Sequence, residues 1–219
     1  YGVFAPCFTC VKEAHAAHKI CRALAVSGIA MMRFDMTGLG GSEGDFAETN
    51  FTTRMQDITA ACNSIVEQYE SPKLLMGHSI SGTAALGMAK NLPGLQVLAT
   101  LGAPSDPAHI IDKFRRNNQI TFHGDMAELI VAGRKVNVHK SFVDDMLSQD
   151  VGAATAAYDR KLFVFHAPND EVVTLKNARI IYDRATCDKE LVELSPAATH
   201  LLERGTEDSS HIADILSDW

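Results

Sequence analysis

Apolar positions along the chain follow two different spacings. Residues 2–5, 30–34, 73–76, 96–101 and 162–165 form short, nearly continuous apolar runs. Runs of this length, bounded by Gly, Pro or polar residues, predict strands buried on both faces. Residues 190–194 alternate polar and apolar, the period of a strand with one wetter face. Between these runs the spacing changes to that of a helix. In residues 53–69, the side chains of Met55, Ile58, Cys62, Ile65 and Tyr69 fall on one helical face. Further helices are predicted over residues 14–26, stopped by Gly28, over 80–91, near 175–185, and from about Ser209. Strand and helix patterns that alternate in this way predict an α/β fold, a mostly parallel sheet with helices on both faces. Right-handed crossovers put the C-terminal ends of all its strands on one edge, where open α/β sheets bind ligands.

Residues 105–158 break the alternation. Asp106-Pro107 opens a predicted helix over 108–116. Residues 128–131 and 135–138 flank Ala132-Gly133-Arg134 and read as a hairpin, and a second helix is predicted over 141–148. Within one domain spanning 1–219, this interval is expected to be a small cap inserted over the ligand-binding edge. Its apolar residues Leu129, Val131, Phe142 and Met146 either line a pocket at that edge or only pack the cap on the sheet. Phe142 and Met146 are the substrate-binding candidates.

Composition narrows the function. The formal net charge of −7 argues against a nucleic-acid partner, which needs a basic face. No apolar run approaches a membrane span of about 20 residues, and no signal peptide is visible. The chain starts at Tyr1, directly before a strand pattern, so residues are expected upstream. Five cysteines, an odd number, suit a reducing cytoplasm better than a disulfide scaffold. Cys7 and Cys10 have C-x-x-C spacing, but no second pair completes a zinc site. The expectation is a loop in which backbone rather than sulfur matters. Gly38-Leu39-Gly40-Gly41-Ser42 fails as a dinucleotide fingerprint, because the third glycine would fall at Glu43. A tight turn after Asp35, near the floor of the site, is expected instead.

The chemistry centres on Leu74-Leu75-Met76-Gly77-His78-Ser79-Ile80-Ser81-Gly82. A strand pattern ends in Gly-His-Ser and a run of small residues opens a helix, the context of a nucleophile elbow. The alternative makes Ser79 a surface turn residue. Asp170 follows the strand at 162–165 on a loop marked by Pro168 and Asn169, as a triad acid or as a loop or N-cap residue. Glu171 is its neighbour and competitor. His200 follows the last strand on the loop after Pro196. Of the nine histidines, only His200 follows the last strand on its own loop, downstream of the acid, as the order Ser…Asp…His requires. His78 adjoins Ser79, His166 precedes Asp170, His109, His123 and His139 fall in the insertion, and His211 falls in the last helix.

Together these residues make the chain resemble an α/β-hydrolase-fold serine hydrolase. More narrowly, it is similar to the bacterial hydrolase domain often fused to an OsmC-like domain. The residues that carry this are Cys7-Phe8-Thr9-Cys10, the stretch from Arg33-Phe34-Asp35 to Gly44-Asp45-Phe46, Gly77-His78-Ser79, Gly102-Ala103-Pro104-Ser105-Asp106-Pro107, and the Asp170 and His200 segments. Two positions depart from the pattern: Pro6 stands in place of a histidine, and Ser81 in place of the second elbow glycine. The resemblance implies a Ser79–His200–Asp170 triad acting on a small-molecule carboxylic ester or thioester, with no metal or organic cofactor. The oxyanion donors would be the backbone N–H groups of Ile80 and Phe8, with Cys7 as the alternative to Phe8. A non-catalytic binding module of the same fold remains open, as do acyl transfer and perhydrolysis. A homodimer is compatible with the sequence, and no membrane partner is expected.

Overall fold

In a computed structural model that describes residues 1–131, 133–203 and 206–219, the predicted strands line up in one sheet. Strands β1 (Gly2–Ala5), β2 (Met31–Arg33), β3 (Leu74–His78) and β4 (Val97–Leu101) come first. An insertion containing β5 (Ile120–His123), β6 (Met126–Val131) and β7 (Arg134–His139) follows, and β8 (Lys161–His166) and β9 (Lys189–Glu193) complete the set. The main sheet has the order β2-β1-β3-β4-β8-β9, and all its strand pairs are parallel.

The continuous apolar runs reflect two cores. Val3, Leu75, Leu98, Leu162 and Val164 point to one face and Phe4, Met76, Val97, Phe163 and Phe165 to the other. Neighbours in a strand face opposite sides, so a sheet covered twice has no polar positions to spare. The second face is covered by α1 (His15–Val26) and α8 (Thr206–Asp218), through Ile20, Leu24, Ile212 and Leu216. The first face is covered by α2 (Phe51–Val66), α3 (Ile80–Met88) and α7 (Lys176–Arg184), with Ile58, Ile65, Ala84, Leu86 and Ile181 in its core. Among the described residues, no helix is long and apolar enough to cross a membrane.

Three elements depart from the sequence expectation. Helix α2 starts two residues early because Asn50 caps it: the Asn50 side chain accepts from Thr53 N, and the Thr53 hydroxyl accepts from Asn50 N. Tyr69 lies beyond its end, 58% exposed and stacked on Tyr1. The buried face of α2 instead includes Arg54. In the insertion, α4 (Pro107–Arg116) starts at an Asp106 cap, and the hairpin of β6 and β7 is joined by a third strand, β5. Residues 121–123 are exposed, so β5 exists by pairing with β6 and carries no core pattern. Ala132, in the expected hairpin turn, lies outside the described residues. Helices α5 (Lys140–Ser148) and α6 (Val151–Ala157) lead to β8. The insertion is tied to α2 by Asp145, which accepts from Thr52 N at 2.7 Å and Thr52 Oγ1 at 2.8 Å.

The glycine-rich turn closes on a carboxylate. Asp35 accepts from Lys12 N, Lys12 Nζ and Gly41 N, and a Cβ on Gly40 would lie 2.4 Å from its carboxyl carbon. These bonds make the turn a brace at the end of β2.

Candidate active site

Ser79 sits between the last residue of β3 and the first of α3, with φ 57° and ψ −130°. A non-glycine residue at positive φ is strained, and such strain concentrates at functional sites. The crowding explains the neighbours. A Cβ on Gly77 would lie 2.5 Å from the Ser81 carbonyl and 2.6 Å from Gly82 Cα. One on Gly82 would lie 2.8 Å from both Ala103 Cβ and the Gly77 carbonyl. The close approach therefore falls on residues 77 and 82. Position 81 is inside the helix, where serine is unstrained, which removes the difficulty posed by the missing glycine.

The structure brings Ser79, His200 and Asp170 together. His200 Nε2 lies 3.0 Å from Ser79 Oγ, and His200 Nδ1 lies 2.6 Å from Asp170 Oδ2. The other carboxylate oxygen, Asp170 Oδ1, accepts from Val172 N and Val173 N, each at 2.8 Å. Burial pushes the Asp170 carboxyl up, but the bond to His200, its charge and the two amides outweigh this and hold it below its ordinary value. It stays ionised at neutral pH. Glu171, its neighbour, is exposed.

The remaining partners fix this row in place. His78 Nε2 donates to the His200 carbonyl at 2.8 Å. Burial, with the charge of His200 adding to it, drops the His78 pKa to about 3, so it is neutral and a positioning group. His166 Nε2 donates to the Val173 carbonyl at 2.8 Å, and burial lowers its pKa as well. Gly102, after β4, has φ +56°, and a Cβ there would lie 3.2 Å from His200 Nδ1 and 3.3 Å from Asp170 Oδ2. Only glycine combines that backbone with room for the pair. His139 pairs with Glu48, and Ser42 Oγ donates to the Asp35 carbonyl; neither joins the row.

Ser79 opens onto a cavity of about 630 Å³. Phe8, Ile80, Phe142 and Met146 line it together with residues of α4 and β6. Phe8 packs on Phe142, ring centroids 5.4 Å apart. The Ile80 N–H lies in the first turn of α3, where amides lack an intrahelical acceptor. Phe8 lies on the loop after β1, which a Cys7–Cys10 disulfide closes. That bond departs from the expectation that the cysteines suit a reducing cytoplasm better than a disulfide scaffold, since a C-x-x-C pair in a tight turn has its sulfurs within bonding reach; Cys21, Cys62 and Cys187 are free. Among the described residues no cluster of His, Cys, Asp and Glu is arranged to hold a metal ion.

Sequence reasoning missed Arg54, Gly102 and the Val172 and Val173 amides. Arg54 had a signal, four residues before Ile58 on the buried face of α2. The others become visible only once β4 and β8 are adjacent.

The family described as serine aminopeptidase, S33, matches residues 10–117. A palmitoyl-protein thioesterase of Rattus norvegicus, ABHD10, mitochondrial, is 30% identical over 103 residues, 47% of this chain and 32% of the relative. The match thus spans about a third of that relative's length. The crystal structure of an esterase domain from a Rhodothermus marinus protein is 34% identical, with a TM-score of 0.79, covering 100% of this chain and 85% of that one. Est1E from Butyrivibrio proteoclasticus, solved with ferulic acid bound, has the same fold at 18% identity, with a TM-score of 0.79 and coverage of 99% and 86%.

Proposed function

The chain belongs to the α/β-hydrolase family, and we propose that it hydrolyses a carboxylic ester or thioester through an acyl-enzyme on Ser79. The observation that carries this reading is the hydrogen-bonded row Ser79–His200–Asp170 at the wall of an apolar cavity. The esterase and thioesterase names of the similar proteins agree with it.

His200 takes the Ser79 proton as Oγ attacks the acyl carbonyl, then returns it to the leaving alcohol or thiol. Asp170 keeps Nδ1 protonated, so Nε2 is the free base, and stabilises the imidazolium. The Ile80 and Phe8 amides receive the oxyanion, each contributing about 2.7–4 kcal/mol to the transition state. Water then enters, His200 activates it, and the acyl group leaves as a carboxylic acid. The acyl chain lies along Phe142 and Met146, under the insertion.

That placement predicts chain-length selectivity. Phe142→Ala and Met146→Ala should each shift the preferred p-nitrophenyl ester towards longer or bulkier acyl groups. Discrimination of about 1–3 kcal/mol per methylene is at stake. Both side chains are buried, so thermal melts must first establish that the variants fold. An unchanged profile in both folded variants would remove the insertion from substrate selection, and a wild-type protein inert to the whole ester series would sink the esterase reading.

A further inference from the structure

We propose that Arg54 and Ser81 are positioning residues that hold the loop after β1 with its amides turned towards the oxyanion. The inference rests on the hydrolase reading of Ser79. Three successive carbonyls of this loop are occupied by donors from within the fold. The Pro6 carbonyl accepts from Ser81 Oγ. The Cys7 carbonyl accepts from Cys10 N at 3.4 Å. The Phe8 carbonyl accepts from Arg54 Nη2 at 2.8 Å. In a planar trans peptide the N–H points opposite to the C=O. Holding the Pro6 and Cys7 carbonyls therefore sets the directions of the Cys7 and Phe8 N–H groups, the two candidate donors of this loop.

Arg54 and Ser81 form one unit. Arg54 Nη1 donates to Ser81 Oγ at 2.8 Å while that hydroxyl donates to Pro6. Ser81 is in the same helix turn as Ile80, so the unit couples the two halves of the oxyanion site. Arg54 also lies 5.6 Å from the centre of the Phe8 ring, which lines the cavity.

Stability alone does not explain this residue. Arg54 is 5% exposed, and among the described residues no carboxylate pairs with it. Its neighbour along the helix, Asp57, is turned to Thr37, accepting from its N and Oγ1. Burial lowers the Arg54 pKa to about 10, so the guanidinium remains charged at neutral pH. The Asp57 charge acts on Arg54, but a buried cation with no carboxylate hydrogen-bonded to it is still costlier than an apolar side chain. Its hydrogen bonds all converge on the loop and on Ser81. An oxyanion site needs fixed donors and gains from positive charge behind them.

The test compares wild type with Arg54→Met, Arg54→Lys and Ser81→Ala on p-nitrophenyl butyrate. A butyl trifluoromethyl ketone, which forms a tetrahedral adduct on the serine, reports the oxyanion site separately. Arg54→Met should lower kcat about 10- to 100-fold, the scale of a small misplacement in an active site. KM should stay within about threefold. The inhibition constant of the ketone should rise by the same factor as kcat falls. Ser81→Ala should move both in the same direction by less, and Arg54→Lys should recover part of the loss. Folded variants with wild-type kcat and ketone affinity, even with a lower Tm, would overturn the proposal. If Arg54→Met does not fold, unchanged ketone affinity in Ser81→Ala overturns it. A wild-type protein that turns over no ester and takes no serine-directed label would defeat the hydrolase reading first, a result distinct from both.

Discussion

His200→Ala is expected to cut ester turnover by about 10⁶-fold while the protein stays folded. Losses of that size follow removal of the base from a serine triad, because the hydroxyl is then left without a proton acceptor. No histidine nearby can substitute. The His78 ring lies 5.2 Å from that of His200, but its Nε2–H is committed to the His200 carbonyl and burial makes it a poor base, while the His166 Nε2–H is committed to the Val173 carbonyl. The substitution spares that backbone carbonyl, so the His78 bond and the loop it anchors survive. Steady-state kinetics on a p-nitrophenyl ester, with a thermal melt as control, measure the effect. Turnover within tenfold of wild type would place the base elsewhere.

Asp170→Asn is expected to cost about 10⁴-fold in kcat, through the tautomer of His200. The Val172 and Val173 amides both donate to Asp170 Oδ1. An asparagine must offer its single carbonyl oxygen there, since an NH₂ group would face two donors. Its NH₂ then points at His200 Nδ1, which must accept rather than donate. The proton moves to Nε2, and the nitrogen facing Ser79 can no longer take the serine proton. The loss should appear in kcat with KM little changed. Nearly wild-type kcat would show that the carboxylate does not set the tautomer.

The sheet was legible because its pattern is redundant. Every central strand faces two cores, so β1, β3, β4 and β8 appear as uninterrupted apolar runs, and Ser79, Asp170 and His200 each follow a strand. Crossover handedness then brings all three to one edge without a distance being known. Elements held by pairing or capping were harder to read. β5 is mostly exposed, and the start of α2 depends on Asn50 and Thr53 rather than on apolar spacing. Tyr69 fitted the apolar face of α2 on paper, but the helix ends at Val66 before reaching it. Within the site, the sequence pointed to Ser79, Asp170 and His200 but not to what holds them. Gly102 and the Val172 amide act through backbone geometry that side-chain identity does not encode. Arg54 was hidden by the expectation that a charged residue on a helix faces water, a rule that fails when its hydrogen bonds are used on a loop inside.

The central claim is that Ser79 is a nucleophile activated by His200. It is tested most directly by reacting wild type and His200→Ala with a fluorophosphonate and mapping the adduct by peptide mass spectrometry. The account predicts one phosphonylated residue in wild type, Ser79, and a rate of labelling that collapses in His200→Ala. An adduct on Ser42 or Ser81, or no adduct on folded wild-type protein, would contradict it.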